Sequence, residues 1–538
     1  MGSTSRKIYA YEEAVSPMSA RPTITASRLE RLVLGFWLGV AILLFAGGAI
    51  HERNRPIDEG GGTWFGLAAR SFARDGIVAL HGMSILNNPP LGAEPDWYLH
   101  WPPLFAISLG LAFKLFGESA ATSHALMFAG IAVTAAALYA IVRRCRGPAS
   151  AGWAVFALLV LPPFFKFGAY VVTQTLALPF IVLALWGFVA ASKTQSIRAS
   201  WAWLGAVFLI LAVLMSWEGL LLPFGLVAYC LFFHDRERLR LAIMYLVTAV
   251  ATFLAIIAFY VWAARPLATE LIHIALFRMG FKYGIVAPLR IHSLADNLIY
   301  GPPIKPSLAQ FLSQYANDVY MLGPLAVVAL AGALTWICLQ RKAVQGRPLG
   351  LIVLGLLSPW VLWAIFMRNH AYIHPQEVLL ATPGTAAALG IALSRMLEWS
   401  RTLDANVRKL AMMILLGIVP AVLVMGMSRE ILTLPPFSDA PMFYQHLGFE
   451  IGQNTPPGAV VLIANDSRNP AYYSQRHVIR GVINDTVLDN IRSRCAATFP
   501  GAPIYLALRA PEVERFPNAV AHEKPVAQTS DFILLRVN

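Results

Sequence analysis

Charge is scarce in this sequence. Asp, Glu, Lys and Arg make up 13% of its 538 residues, against roughly a quarter in soluble domains. With 57% hydrophobic residues and a mean hydropathy of +0.60, this excludes a soluble globule, a disordered chain and a coiled coil. Cysteine is scarcer still: Cys145, Cys230, Cys338 and Cys495 are the full complement. No two lie close and none has ligand spacing, which excludes a disulfide framework and a zinc site and leaves small apolar residues. There is no internal repeat and no inverted symmetry of the kind transporters carry.

What the chain has is a succession of apolar runs. The first, Leu32 to Ile50, follows a polar leader carrying Arg6, Lys7, Arg21, Arg28 and Arg31. That leader is long for a signal peptide, so a retained span is expected. Further spans are expected near 120–142, 149–165, 174–192, 200–216, 219–233, 241–264, 319–340, 349–367, 375–394 and 410–428, about eleven in all. The stretch 102–116 opens on two prolines, contains Lys114 and would reach only about 22 Å as a helix. The hydrocarbon core is about 30 Å thick, so 102–116 reads as interfacial.

Charge placement fixes the orientation. The net charge is +13, from 42 Lys and Arg against 29 Asp and Glu. The basic clusters RRCRG, KTQSIR, HDRERLR, RKAVQGR and RMLEWSRTLDANVRK occupy alternate connections. All then fall on the side of the basic N-terminus, which places the N-terminus in the cytoplasm and the C-terminus outside. This is topology signal, and it disfavours nucleic acid as a partner. The expected fold is an all-α polytopic membrane protein with a small external α/β C-terminal domain. Residues 1–31 form a cytoplasmic tail, 32–428 the membrane domain with external loops 51–118 and 265–318, and 429–538 the external domain. In the last, GAVVLIAND, APIYLALR and FILLRV read as strands.

The first external loop carries the densest chemistry. Asp58-Glu59 stands a few residues after the first span, Gly60, Gly61 and Gly62 then break regular structure, and TWFGLAARSFA reads as a short amphipathic helix. Two carboxylates there are placed for a reaction at headgroup level, or for capping that helix.

In this region the chain resembles the GT-C integral membrane glycosyltransferases, in the branch of protein O-mannosyltransferases and the lipid A aminoarabinose transferase. The residues that carry the likeness are Asp58-Glu59, Ala69-Arg70, Gly76, Pro102-Pro103-Leu104 and Phe116-Gly117, in that order. It is specific over 51–142 and continues afterwards as topology. The resemblance implies a sugar donor on a polyprenyl phosphate and an acceptor that is a lipid, glycan or protein. It makes Asp58 the base that orients and deprotonates the acceptor, gives inversion at the anomeric carbon, and leaves Glu59 a supporting role. A carboxylate suits that task, and phosphate leaves without a strong general acid. The sequence departs from the family at His100-Trp101, where Lys commonly precedes the Pro-Pro segment, and at Ser123-His124, where Arg commonly follows the Phe-Gly.

The donor phosphate needs cations. His100 is one candidate; Arg278 and Lys282 in FRMGFKYG, and Arg368, His370 and His374 in RNHAYIHP, are the others. Arg suits phosphate through its forked donors, although snorkelling at the interface explains many such residues. His370 and His374 stand four apart, but Pro375 follows and no third ligand is near, so neither a metal nor another cofactor is expected. Glu218, in SWEG between two spans, is a site candidate because a carboxylate there is costly in lipid. Together with Arg70, Tyr98 and Tyr372 it is assigned to the acceptor or sugar groove; Trp97 and Tyr283 are further aromatic candidates.

The expected function is therefore an inverting, polyprenyl-phosphate-sugar-dependent glycosyltransferase of a bacterial inner membrane. The alternatives are a transporter or flippase of lipid-linked saccharide and an oligosaccharyltransferase-like enzyme. Charge concentrated in outer loops rather than mid-span disfavours transport.

Overall fold

The computed structural model describes residues 27–52, 57, 62–85, 97–193, 196–197, 199–263, 268–281, 306–340, 347–433, 439–464, 468–480 and 482–537. The first span is α1 (Arg28–Glu52). The region that follows holds α2 (Gly62–Asp75), the two-residue hairpin β1 (Ser84–Ile85) and β2 (Trp97–Tyr98), and α3 (Leu104–Phe116). Pro103 is the N-cap of α3, since a proline is disfavoured inside a helix but tolerated at its start.

The bundle continues with α4 (Ala120–Arg146), α5 (Pro148–Val160), α6 (Pro162–Gly168), α7 (Thr173–Ala191), α8 (Ala199–Met215), α9 (Leu222–Phe232), α10 (Arg236–Ala263) and α11 (Ala268–Arg278). A second small hairpin, β3 (Ser192–Lys193) with β4 (Ser196–Ile197), joins α7 to α8. Then come α12 (Leu308–Met321), α13 (Pro324–Leu339), α14 (Arg347–Phe366), α15 (Arg368–Ile373), α16 (Thr382–Ser400), α17 (Ala405–Met413) and α18 (Val419–Thr433). Among the described residues, seven helices are long and apolar enough to cross a membrane, or up to nine if each bent pair counts as one span. Two of the eleven expected spans, 200–216 and 219–233, correspond to shorter apolar helices.

Two further spans differ from expectation in shape. The stretch 149–165 bends by 59° between α5 and α6, where Leu161 is extended ahead of Pro162 and Pro163. The expected span 319–340 begins inside α12; the chain turns 101° before α13, at Gly323 with φ +86° followed by Pro324. Inside the bundle, small residues let helices touch. A Cβ on Gly187 of α7 would lie 2.5 Å from the Cα of Gly205 in α8, the close approach that packing without water favours. The last span contains a π-helical turn, Ile414–Ile418, and the Trp37 indole of α1 donates to its Leu416 carbonyl at 2.8 Å.

The C-terminal region is built from α19 (Asp439–Asn454), β5 (Val460–Ile463), α20 (Arg468–Ser474), β6 (His477–Arg480), α21 (Asp485–Thr498), β7 (Ile504–Arg509), α22 (Pro517–His522), β8 (Lys524–Gln528) and β9 (Phe532–Arg536). The sheet order is β6-β5-β7-β9-β8. β5 runs parallel to β6 and β7, and β9 is antiparallel to β7 and β8. β5, β7 and β9 are the three strands expected from sequence; β6 and the mostly exposed edge strand β8 were not expected. Alternation along β5 divides two cores. Val460 and Leu462 pack with Leu488, Ile491 and Cys495 of α21. Val461 and Ile463 join Leu447, Ile451, Ala471 and Tyr472, a core continuous with the helical bundle. Strand side chains point alternately to opposite faces, so one sheet face is committed to the membrane domain.

Candidate active site

The site is assembled where helices are interrupted. α8 ends at Met215 and the chain passes through the short 3₁₀ turn Trp217–Leu221 before α9, whose start contains Pro223. α15 likewise gives way to a 3₁₀ turn, Pro375–Ala381, before α16. Each turn carries one carboxylate, and both are sealed from solvent: Glu218 is 0% exposed and Glu377 1%. Irregular backbone at such depth is tolerated where protein surrounds it.

Gln174, in the first turn of α7, links the two carboxylates. Its Nε2 donates to Glu218 Oε1 at 2.8 Å and to Glu377 Oε1 at 3.0 Å. Ser216 Oγ bonds Glu218 Oε2 and Thr173 Oγ1, and Thr173 Oγ1 reaches Gln174 Oε1 at 3.3 Å. Among the described residues Glu377 Oε2 is buried without a hydrogen-bond partner, which is costly for a polar atom in a dry interior.

An aromatic and cationic group adjoins this network. His370 Nδ1 lies 3.1 Å from Glu377 Oε1 and 3.2 Å from the Trp363 indole nitrogen. The His370 ring lies tilted against His374 at 4.2 Å and meets Trp101 edge-on at 5.5 Å. Burial pushes His370 well below the ordinary histidine range, and the charges of His374, Arg278 and His100 press the same way. The ring is therefore neutral at physiological pH, and its contact with Glu377 is not an ion pair. Arg278, nearly buried at the end of α11, places its guanidinium 4.4 Å from the centre of the Trp101 ring, a cation–π contact. The Asn369 amide ties α15 to α11 by donating to the Phe277 carbonyl at 3.1 Å.

The His100-Trp101 segment is fixed by its carbonyls. Trp217 Nε1 donates to the His100 carbonyl at 2.9 Å, and the Tyr260 hydroxyl to the Trp101 carbonyl at 2.7 Å. The His100 ring lies against Tyr98 and, at 6.3 Å, against Trp64 in the first turn of α2. The start of α2, a few residues after Asp58-Glu59, is thereby brought to the same cluster.

Of the residues singled out from sequence, His100, Arg278, His370, His374 and Glu218 converge, with Tyr98 beside them. Arg368 and Tyr372 occupy the other side of α15: Arg368 Nη2 reaches the Gly280 carbonyl at 3.4 Å, and both side chains face Phe311. Arg70 forks onto Glu118, with Nη2 to Oε1 at 2.6 Å. Asp58, Glu59, Lys282 and Tyr283 lie outside the described residues. Among the described residues, no group of three or more His, Cys, Asp or Glu is arranged to hold a metal ion. Gln174, Glu377, Trp101 and Trp363 were missed. Glu377 had a visible signal, an acidic residue just after His374-Pro375 and ahead of an apolar run.

The fold that holds these residues has counterparts. Residues 100–262 match the family described as dolichyl-phosphate-mannose-protein mannosyltransferase. ArnT from Cupriavidus metallidurans, in a crystal structure bound to undecaprenyl phosphate, aligns with a TM-score of 0.61 at 15% identity. That alignment covers 93% of this chain and 97% of ArnT. The fold is that of the GT-C membrane glycosyltransferases. The archaeal oligosaccharyltransferase AglB from Archaeoglobus fulgidus, in complex with an inhibitory peptide and a dolichol-phosphate, aligns with a TM-score of 0.56 at 13% identity. It is covered over 69% of its length by 88% of this chain. No curated protein matches the chain by sequence. Within the GT-C fold, the family match takes in His100, Trp101, Gln174, Glu218 and Tyr260. Arg278, His370 and Glu377 join them from beyond it, through the packing of α11, α14 and α15.

Proposed function

We propose that this protein is an inverting glycosyltransferase that moves a sugar from a polyprenyl phosphate to an acceptor on the external face of the membrane. The observation that carries this reading is the convergence of Arg278, His100 and His374 around His370, beside two carboxylates sealed from solvent. Arg278 supplies a fixed positive charge with forked donors for the donor phosphate. Polyprenyl phosphates in the ArnT and AglB structures support the same donor class. The acceptor is a hydroxyl or amide of a lipid, glycan or protein. Its nucleophilic atom attacks the anomeric carbon, the bond from that carbon to the phosphate oxygen breaks, and polyprenyl phosphate leaves. Asp58 takes the acceptor proton, with Glu59 supporting it.

In this reading the N-terminus is cytoplasmic, and α2, the aromatic cluster and the C-terminal domain lie outside, in the periplasm of a bacterial inner membrane. The basic connections support that orientation. The test is purified protein reconstituted in lipid vesicles, given radiolabelled polyprenyl-phosphate sugars and candidate acceptors. Transfer of label with release of polyprenyl phosphate is the expected result. Movement of intact donor across vesicles without any transfer would replace this reading with a flippase.

A further inference from the structure

The C-terminal domain packs against the region that follows the first span. Tyr472, in α20, meets α2 at Gly66. A Cβ at Gly66 would stand 2.7 Å from the Tyr472 ring and 2.9 Å from Ile57 Cδ1, so only glycine admits both. One turn along α2, the Arg70 guanidinium covers the same ring at 4.4 Å and forks onto Glu118. Burial, then the Glu118 charge, hold the Tyr472 hydroxyl protonated.

Ile57 is 3% exposed and belongs to the core that contains Tyr472. Its backbone is held as well: a Cβ on Gly62 would fall 1.9 Å from the Ile57 carbonyl oxygen. Ile57 and Gly62, which flank the Asp58-Glu59 segment in sequence, are thus in contact, and the Ile57 side chain and the Tyr472 ring close on the same point of α2, at Gly66.

We infer that Tyr472 is a positioning residue, by which the C-terminal domain holds the start of the Asp58 loop against α2. Its catalytic consequence rests on the role proposed for Asp58; the clamp itself does not. Misplacement of a reacting group by about an ångström is enough to cost a large factor in rate, so fixed positions for Ile57 and Gly62, on either side of Asp58 in sequence, suit a base that must meet an acceptor.

The experiment is hydrogen exchange on full-length protein, reading the 53–61 peptide, with turnover measured in parallel. Tyr472→Ala should speed exchange of that peptide about tenfold or more and lower kcat about tenfold with little change in donor KM. Tyr472→Phe keeps the ring and should restore most of both. Amides of β5 and β7 report whether the C-terminal domain is intact. If Tyr472→Ala unsettles it, Gly66→Ala, which leaves that domain's sequence untouched, decides by the same readout. Unchanged exchange at 53–61 in an intact variant overturns the clamp. Faster exchange with unchanged kcat upholds the clamp and overturns the role of Asp58.

Discussion

Arg278 stacks its guanidinium on Trp101 at 4.4 Å, joining the end of α11 to the segment that precedes α3. The contact leaves a positive charge, largely shielded from water, beside His370 and His374. Arg278→Ala should raise the donor KM about ten- to a hundredfold, the loss of a charge-assisted contact worth about 1.5–3 kcal/mol. Arg278→Lys should recover part of it. Arg368→Ala should do less, because Arg368 is exposed on the other side of α15. Equal donor KM values for wild type and Arg278→Ala would move the phosphate site elsewhere.

Asp58→Asn should leave the protein folded and inserted while lowering kcat by about 10²–10⁴, the usual range for loss of a general base. The amide is nearly isosteric but takes no proton at neutral pH. Glu59→Gln should cost less. Initial rates at saturating donor, with thermal unfolding as the control, test both; near wild-type turnover in folded Asp58→Asn removes the assignment.

Gln174 is the shared donor of two buried carboxylates. Gln174→Leu should destabilise the protein by about 1–3 kcal/mol or more, because acceptors buried without a donor lose their hydration uncompensated. Unfolding in detergent at fixed protein concentration gives the measure. An unchanged midpoint would mean that water or another group replaces the amide.

His370 should make stability depend on pH. Its folded pKa is depressed by burial, whereas the unfolded chain protonates it near pH 6.5. Below about 6.5 the unfolded state binds the extra proton, so stability falls as pH falls, with a slope approaching 1.4 kcal/mol per unit until the folded value is reached. Above about 6.5 the effect vanishes. His370→Gln should flatten the difference between pH 7.5 and pH 5 in unfolding experiments; parallel curves for the two proteins would show that His370 protonates freely in the fold.

A reporter fused after Arg408 should read cytoplasmic, and one fused after Asn454 external, from the basic connections alone. A cytoplasmic signal at Asn454 would invert the tail and separate the C-terminal domain from the proposed site.

The sequence by itself determined what depends on neighbours along the chain. Apolar runs placed the spans, and short apolar stretches placed β5, β7 and β9, whereas the bends at Pro162 and Gly323 emerged only in the fold. The likeness of residues 51–142 to GT-C enzymes was readable because its residues lie in one stretch. β8 was illegible because an edge strand with mostly exposed residues has no apolar alternation to show. Only the tertiary structure decided which polar residues meet. Gln174, Glu218 and Glu377 each stand at the start of a helical segment, where a polar side chain by itself reads as an ordinary helix end. What unites them is the packing of α7, α8 and α16, a long-range arrangement with no local periodicity. The same holds for Tyr472 on Gly66: a tyrosine in a short helix and a glycine far away acquire a joint role only when the sheet face of the C-terminal domain is buried against the bundle.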